Sequence, residues 1–96
     1  GFRIGSAADF LELSPEEEAY IDIRLDISNM VKSQRSKRGW SQEQLARAIG
    51  SSQSRIAKLE GGDTGISLDL MIKALLRLGT SKEKIGKMLE GELDVA

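Results

Sequence analysis

Apolar residues recur at helical spacing along most of the chain and are interrupted at short intervals by serine and glycine, a pattern that predicts a succession of helices with short connections. Ser14-Pro15-Glu16-Glu17 has the form of a helix start, with Ser14 as N-cap, Pro15 in the first turn and Glu17 closing a capping box. No breaker follows until Gly39, so the first helix should run about 24 residues, roughly 36 Å at 1.5 Å per residue. Ile23, Ile27, Met30 and Val31 form one apolar face of it. Tyr20, Ile21 and Leu25 add apolar surface at other angles. That surplus calls for a second partner: Phe10, Leu11 and Leu13 just before the helix, another copy of the chain, or a different protein.

Gly39 ends this helix, and Ser41 with Gln44 makes a capping box for a second, Gln42 to Ile49, with Trp40 placed to staple onto Leu45. Gly50 stops the second helix, and Ser52 caps a third from Gln53 to about Glu60, ahead of Gly61-Gly62. Ser67 caps a fourth from Leu68 to Leu78, with Ile66 and Met71 at staple positions and Gly79 at its end. Thr80 and Glu83 form the expected capping box of a fifth, which reaches about Glu90. No period-two alternation with hairpin turns occurs. The prediction is an all-α fold of five helices over 14–91, with 1–13 as an N-terminal extension and 92–96 as a tail.

Composition narrows the chemistry. The 96 residues include no Cys and no His, which removes the usual zinc ligands and the Cys–His and Ser–His catalytic pairs. Glu16, Glu17 and Glu18 diverge by about 100° per residue on a helix, and acids in a first turn are accounted for by the helix dipole. Gly61-Gly62-Asp63 lacks both a preceding strand and a GKS/T tail, so it is not a phosphate loop. The expectation is a protein that binds and does no chemistry, with no catalytic residue, metal or cofactor. No apolar run approaches the roughly 20 residues of a membrane span, and no signal-peptide pattern is present. A cytoplasmic protein without a membrane partner is therefore expected, and residue 1 being Gly and not Met points to trimming or to an artificial boundary at its start.

The net charge of −1 argues at first against a nucleic-acid ligand. Its distribution argues the other way. Residues 1–31 carry seven acids and two bases, net −5; residues 32–58 carry seven bases and one acid, net +6; residues 59–96 carry five bases and seven acids, net −2. The basic segment runs from the end of the first helix through the second and third, and these two with their tight Gly50 turn form a helix-turn-helix unit at 42–60. Leu45, Ile49, Ile56 and Leu59 should point inward, and Ala46 is small enough to let the helices cross closely. Gln53, Ser54, Ala57 and Lys58 then cluster on the outer side of the third helix. Such a face suits a major groove, where Gln pairs with adenine, Lys donates to guanine, and an Ala methyl meets a thymine methyl.

The stretch from Gly39-Trp40-Ser41-Gln42 through Gly50-Ser51-Ser52-Gln53 to Leu59-Glu60-Gly61-Gly62 resembles the Cro/C1-type (Xre-family) helix-turn-helix, with matches at Gln42, Ala46, Gly50, Ile56, Leu59, Glu60 and Gly62. The resemblance implies a lambda-repressor-like five-helix domain, here with a long N-terminally extended first helix. It implies that Gln42 bonds a phosphate, that Gln53, Ser54 and Lys58 face base edges, and that Glu60 ties the end of the third helix to its neighbours. Arg55, with Arg38 and Arg47 from the basic segment, is assigned to phosphates. Trp40, Ser51 and Gly65 depart from the family's usual aliphatic residue, Val and Pro, and Gly65 makes the loop at 61–65 an expected site of mobility.

Two functions of different kind follow. One is a sequence-specific repressor that reads a palindromic operator on double-stranded DNA as a homodimer. The other arises because the acidic run Phe10-Leu11-Glu12-Leu13-Ser14-Pro15-Glu16-Glu17-Glu18-Ala19-Tyr20-Ile21 ahead of such a domain is similar to compact HigA-type antitoxins and their solitary relatives. That likeness implies an antitoxin that holds a basic ribonuclease toxin through its acidic N-terminal region and represses its own operon. Surface for a dimer or partner is expected from Tyr20, Ile21 and Leu25 on the first helix and from Ile85, Met88 and Leu89 on the fifth.

Overall fold

The computed structural model describes residues 13–91. The segment 1–12, with Phe10 and Leu11, and the tail 92–96 lie outside the described residues. Five helices follow in order: α1 (Pro15–Lys37), α2 (Gln42–Ala48), α3 (Gln53–Glu60), α4 (Leu68–Arg77) and α5 (Lys82–Leu89). Each begins on a serine, Ser14, Ser41, Ser52, Ser67 or Ser81, whose hydroxyl accepts a backbone N–H three residues on. The box at Ser41 and Gln44 is complete, with the Gln44 carbonyl oxygen accepting the Ser41 N–H at 2.7 Å. At Ser14 it is half made: the Ser14 hydroxyl accepts the Glu17 N–H at 3.1 Å and donates to the Glu17 carboxylate at 3.2 Å.

The cap of α5 differs from expectation by one residue. Ser81, not Thr80, accepts the Lys84 N–H, at 3.0 Å. Thr80 is taken by the end of α4, where its N–H bonds the Leu75 carbonyl at 3.0 Å and its side chain is buried. With Thr80 facing the interior, the next hydroxyl is the one free to cap.

α1 is the spine of the core. Ile27, Met30 and Val31 from it meet Leu45 and Ala46 of α2, Ile56 and Leu59 of α3, Met71, Ala74 and Leu75 of α4, and Met88 of α5 in one buried cluster, completed by Ile66 and Leu78. Each fully buried aliphatic side chain contributes roughly 1.5–3 kcal/mol by leaving water. Trp40, half-buried, packs against the same cluster.

The buried face of α1 is the expected one at Ile27, Met30 and Val31 and departs from it one turn earlier. Ile23 stands 38% exposed, whereas Arg24 is 7% exposed and points inward. The cause is what lies opposite. Arg24 Nη2 donates to the carbonyls of Asp63 (3.2 Å) and Ile66 in the loop after α3; the Asp63 carbonyl also accepts the Ile66 N–H at 3.3 Å, whereas a hydrocarbon at this position would take from the Ile66 carbonyl the donor that Arg24 provides. The Gly65 N–H adds a bond to the Asp63 carboxylate at 2.7 Å. The loop expected to be mobile is thus fastened to α1 from one side and to itself from the other. Gly62 in the same loop has φ +80°, and a Cβ there would come within 3.0 Å of Leu25 Cδ2.

Candidate nucleic-acid interface

α2 and α3 cross through Leu45, Ala46, Ile56 and Leu59, all buried. Between them Gly50 takes φ +67°, a conformation that favours glycine, and Ser51 returns its N–H to the Ala46 carbonyl at 2.8 Å. That turn sets α3 with Gln53, Ser54, Arg55 and Lys58 exposed and Ala57 half-buried. Arg55 and Lys58 form no ion pair among the described residues, so both charges face outward. The Ser54 hydroxyl lies 3.3 Å from that of the cap residue Ser52.

A chain of polar contacts runs from this face into the domain. The Gln53 amide donates to Gln42 Oε1 at 2.7 Å, and the Gln42 amide donates to Glu60 Oε1 at 3.1 Å. Glu60, its side chain 3% exposed, receives Arg35 in a fork: Nε to Oε2 at 2.6 Å and Nη2 to Oε1 at 3.0 Å. Arg35 also donates from Nη1 to the Trp40 carbonyl at 2.6 Å. The Glu60 hydrogen bond outweighs burial and raises the pKa of the Arg35 guanidinium, which is therefore charged at every ordinary pH. Sequence reasoning named Gln42 and Gln53 separately and counted Arg35 only as part of a basic segment. The signal that marks it is register: Arg35 falls eleven residues after Arg24, on the same side of α1 as Ile27, Ser28 and Val31. A cation there needs buried acceptors, which the Glu60 carboxylate and the Trp40 carbonyl supply to Arg35 and backbone carbonyls supply to Arg24.

The remaining assigned cations divide. Arg47 is exposed beside Glu43 at 3.9 Å, an i,i+4 pair in solvent that leaves the guanidinium available. Arg38 is drawn elsewhere: its guanidinium lies 4.5 Å above the Trp40 ring, and Nη1 reaches the Arg77 carbonyl at 3.4 Å. It is exposed, but joined to the end of α4 and not to the Gln42–Gln53 pair.

Of the surfaces expected to face a partner, Tyr20 and Leu25 are exposed and Ile21 is half-buried. Tyr20 and Ile21 continue the inward side of α1 beyond the part that packs on the domain. Together with Glu16 and Glu17 they border an open cleft of about 360 Å³. On α5, Leu89 is 50% exposed and Ile85 packs half-buried on the core. Met88 is a correction: at 2% exposure it belongs to the core, because the helix turns that residue toward α1. Leu76 and Leu68 of α4 are also exposed. Among the described residues no group of three or more acids could hold a metal ion, and no helix is long and apolar enough to cross a membrane.

A family model described as helix-turn-helix matches residues 31–85, more than half of the chain, from the last turns of α1 into the first turn of α5. Comparison with curated proteins and with solved structures returns no match.

Proposed function

The chain belongs to the Cro/C1-type helix-turn-helix (Xre) family of DNA-binding transcription regulators, and from that premise we propose that it is a repressor that reads a palindromic operator as a dimer through α3. The observation that carries this reading is the outer face of α3, where Gln53, Ser54 and Lys58 are exposed and the Gln53 amide is held in place by Gln42. Arg55, Arg47 and the second N–H of the Gln42 amide supply phosphate contacts, and Ala57 offers a methyl to thymine. One α3 spans only a few base pairs, so two copies about 34 Å apart, one helical turn, are needed for specificity. Leu89, with Leu76, gives apolar surface for pairing, and Tyr20 with Leu25 is the rival. This reading places the protein where the DNA is, at the nucleoid of the cytoplasm. Selection from randomised duplex DNA followed by footprinting tests it: an inverted repeat protected in two halves is expected, and uniform binding to all sequences overturns it.

A second reading draws on the cleft bordered by Glu16, Glu17, Tyr20 and Ile21. Two acids one helical turn before two apolar side chains fit a basic protein, which is what an antitoxin would hold. Its test is co-expression with the product of the adjoining reading frame. A complex that Tyr20→Asp disrupts supports this reading, and two proteins that purify separately exclude it.

A further inference from the structure

We propose that the cleft on the projecting start of α1 is occupied by this chain's own residues Phe10 and Leu11, folded back over Tyr20 and Ile21. In the free protein this surface is then covered, and any partner that uses it has to displace them. The inference goes beyond both functional readings and depends on neither, because it concerns the protein without DNA and without a partner.

The starting point is what α1 leaves uncovered. It gives the core Ile27, Met30 and Val31, and no described residue ahead of Ile27 belongs to that cluster. The helix nevertheless begins at Pro15, about three turns earlier. Over this projecting part Tyr20 is exposed and Ile21 half-buried, and with Glu16 and Glu17 they border the cleft of about 360 Å³. Apolar surface left in water there is unfavourable by roughly 25 cal/mol for each Å² that a covering group would remove.

Charge selects among the occupants. Residues 15–26 carry Glu16, Glu17, Glu18, Asp22 and Asp26 against Arg24 alone, net −4. A second copy packed here by the same face would set two such segments against each other, and like charges brought together oppose the pairing. Arg24 does not relieve this, since its guanidinium is engaged by the Tyr20 hydroxyl and the loop carbonyls of Asp63 and Ile66. Phe10 and Leu11 bring two apolar side chains without charge, and the acids on either side of them, Asp9 and Glu12, can turn to water.

Distance narrows the choice further. Tyr20 stands six residues after the cap Ser14, about 9 Å along the axis at 1.5 Å per residue. An extended chain advances about 3.3 Å per residue, so a segment that reverses at Ser14 covers the same length in about three residues. Leu11 is three residues ahead of Ser14 and Phe10 four. Ser14 has φ −70° and ψ 161°, extended and not helical, so the chain leaves the path of the helix there. Leu13 beside it is already half-buried.

Nuclear Overhauser contacts in the full chain test this. Contacts from the Phe10 ring and the Leu11 methyls to Tyr20 and Ile21 are expected, with an upfield shift of the Ile21 methyls that Phe10→Leu abolishes. The same contacts should be absent from isotope-filtered spectra of mixed labelled and unlabelled chains, which report only contacts between copies. Amide exchange supplies a second readout: in Phe10→Ser/Leu11→Ser, residues 19–23 should exchange faster than in wild type by about tenfold, while residues 27–31 keep their protection. No contact from Phe10 or Leu11 overturns the proposal, and so do contacts to Tyr20 and Ile21 that come only from Leu93 or Val95 of the tail, or only from a second copy. Exchange at 19–23 that is indifferent to the double substitution overturns it as well. With neither DNA nor partner present, each of these failures leaves both functional readings as they stand.

Discussion

Arg35 of α1 and Glu60 at the last turn of α3, 25 residues apart in the chain, meet at 2.6 Å and share a second bond at 3.0 Å. Both side chains are largely out of solvent, Arg35 at 14% and Glu60 at 3% exposure. The pair ties the last turn of α3 to the longest element of the fold, and Arg24, eleven residues earlier on α1, ties the loop that follows α3.

Removing one member of that pair leaves the other charged and buried. Arg35→Ala should cost about 3–5 kcal/mol of stability, whereas Arg35→Met/Glu60→Leu should cost much less, because no charge is stranded. Urea denaturation of the three proteins measures the difference. Equal losses in single and double variants would mean that desolvation at this site is slight.

Arg24 makes no ion pair among the described residues; it holds backbone carbonyls and lies 5.7 Å from the Tyr20 ring centre, with the Tyr20 hydroxyl accepting at 3.3 Å. Arg24→Ala should destabilise by about 1.5–3 kcal/mol, the range for hydrogen bonds from charged groups. Backbone relaxation of residues 61–66 should then show faster motion than in the wild type. An unchanged loop would assign its order to Asp63 and Gly65.

Gly50 and Gly62 both have positive φ, +67° and +80°, but different surroundings. A Cβ at Gly50 meets nothing within 4 Å, and one at Gly62 meets Leu25 Cδ2 at 3.0 Å. Gly50→Ala should therefore cost only the left-handed backbone penalty, about 1–2 kcal/mol. Gly62→Ala should cost more, and Leu25→Ala in the same chain should recover the excess. Thermal melts of the four variants check this, and additivity of Gly62→Ala with Leu25→Ala would rule out the steric contribution.

On the operator, Gln53→Ala and Lys58→Ala should each relax base preference by about 1–3 kcal/mol, while Arg55→Ala should weaken binding to every sequence and flatten the salt dependence. Gel shifts across a salt series separate the two classes. An unchanged Gln53→Ala protein would put the reading face elsewhere.

Between pH 6 and 8.5 little should change. The chain has no His or Cys to titrate there. The raised pKa of Arg35 acts in a fixed direction: its stabilisation is complete below the unfolded arginine value and is lost only as pH rises through the higher folded one. Melting temperature should thus be flat across this window, and a steep slope would point to a displaced group elsewhere.

How much of this was legible in the sequence depends on whether the information is local. The caps at Ser41, Ser52 and Ser67 and the boundaries of α3 rest on residues within one turn of each other, and they were read correctly. Thr80 and Ser81 are adjacent hydroxyls, and only the packing of Thr80 under the end of α4 decides which one caps. Arg24 and Ile23 exchanged places because the loop carbonyls that receive Arg24 come from 39 and 42 residues away. Met88 and Leu89 are both apolar, and one helical step separates core from surface. At the interface, residue types and spacing identified Gln42 and Gln53 one at a time. Their joining through Glu60 to Arg35 brings together three helices, a relationship that no window of sequence contains.

The path from Arg35 through Glu60 and Gln42 to Gln53 also bears on portability. A segment of eight residues, 53–60, carries every candidate base contact and looks like a cassette that could be moved to another scaffold of the same family. Transplanted by itself, it would arrive without the Gln42 oxygen that receives the Gln53 amide. Moving the arrangement intact has to carry residues 35 and 42 with it, because the hydrogen-bonded set is drawn from three helices and not from one.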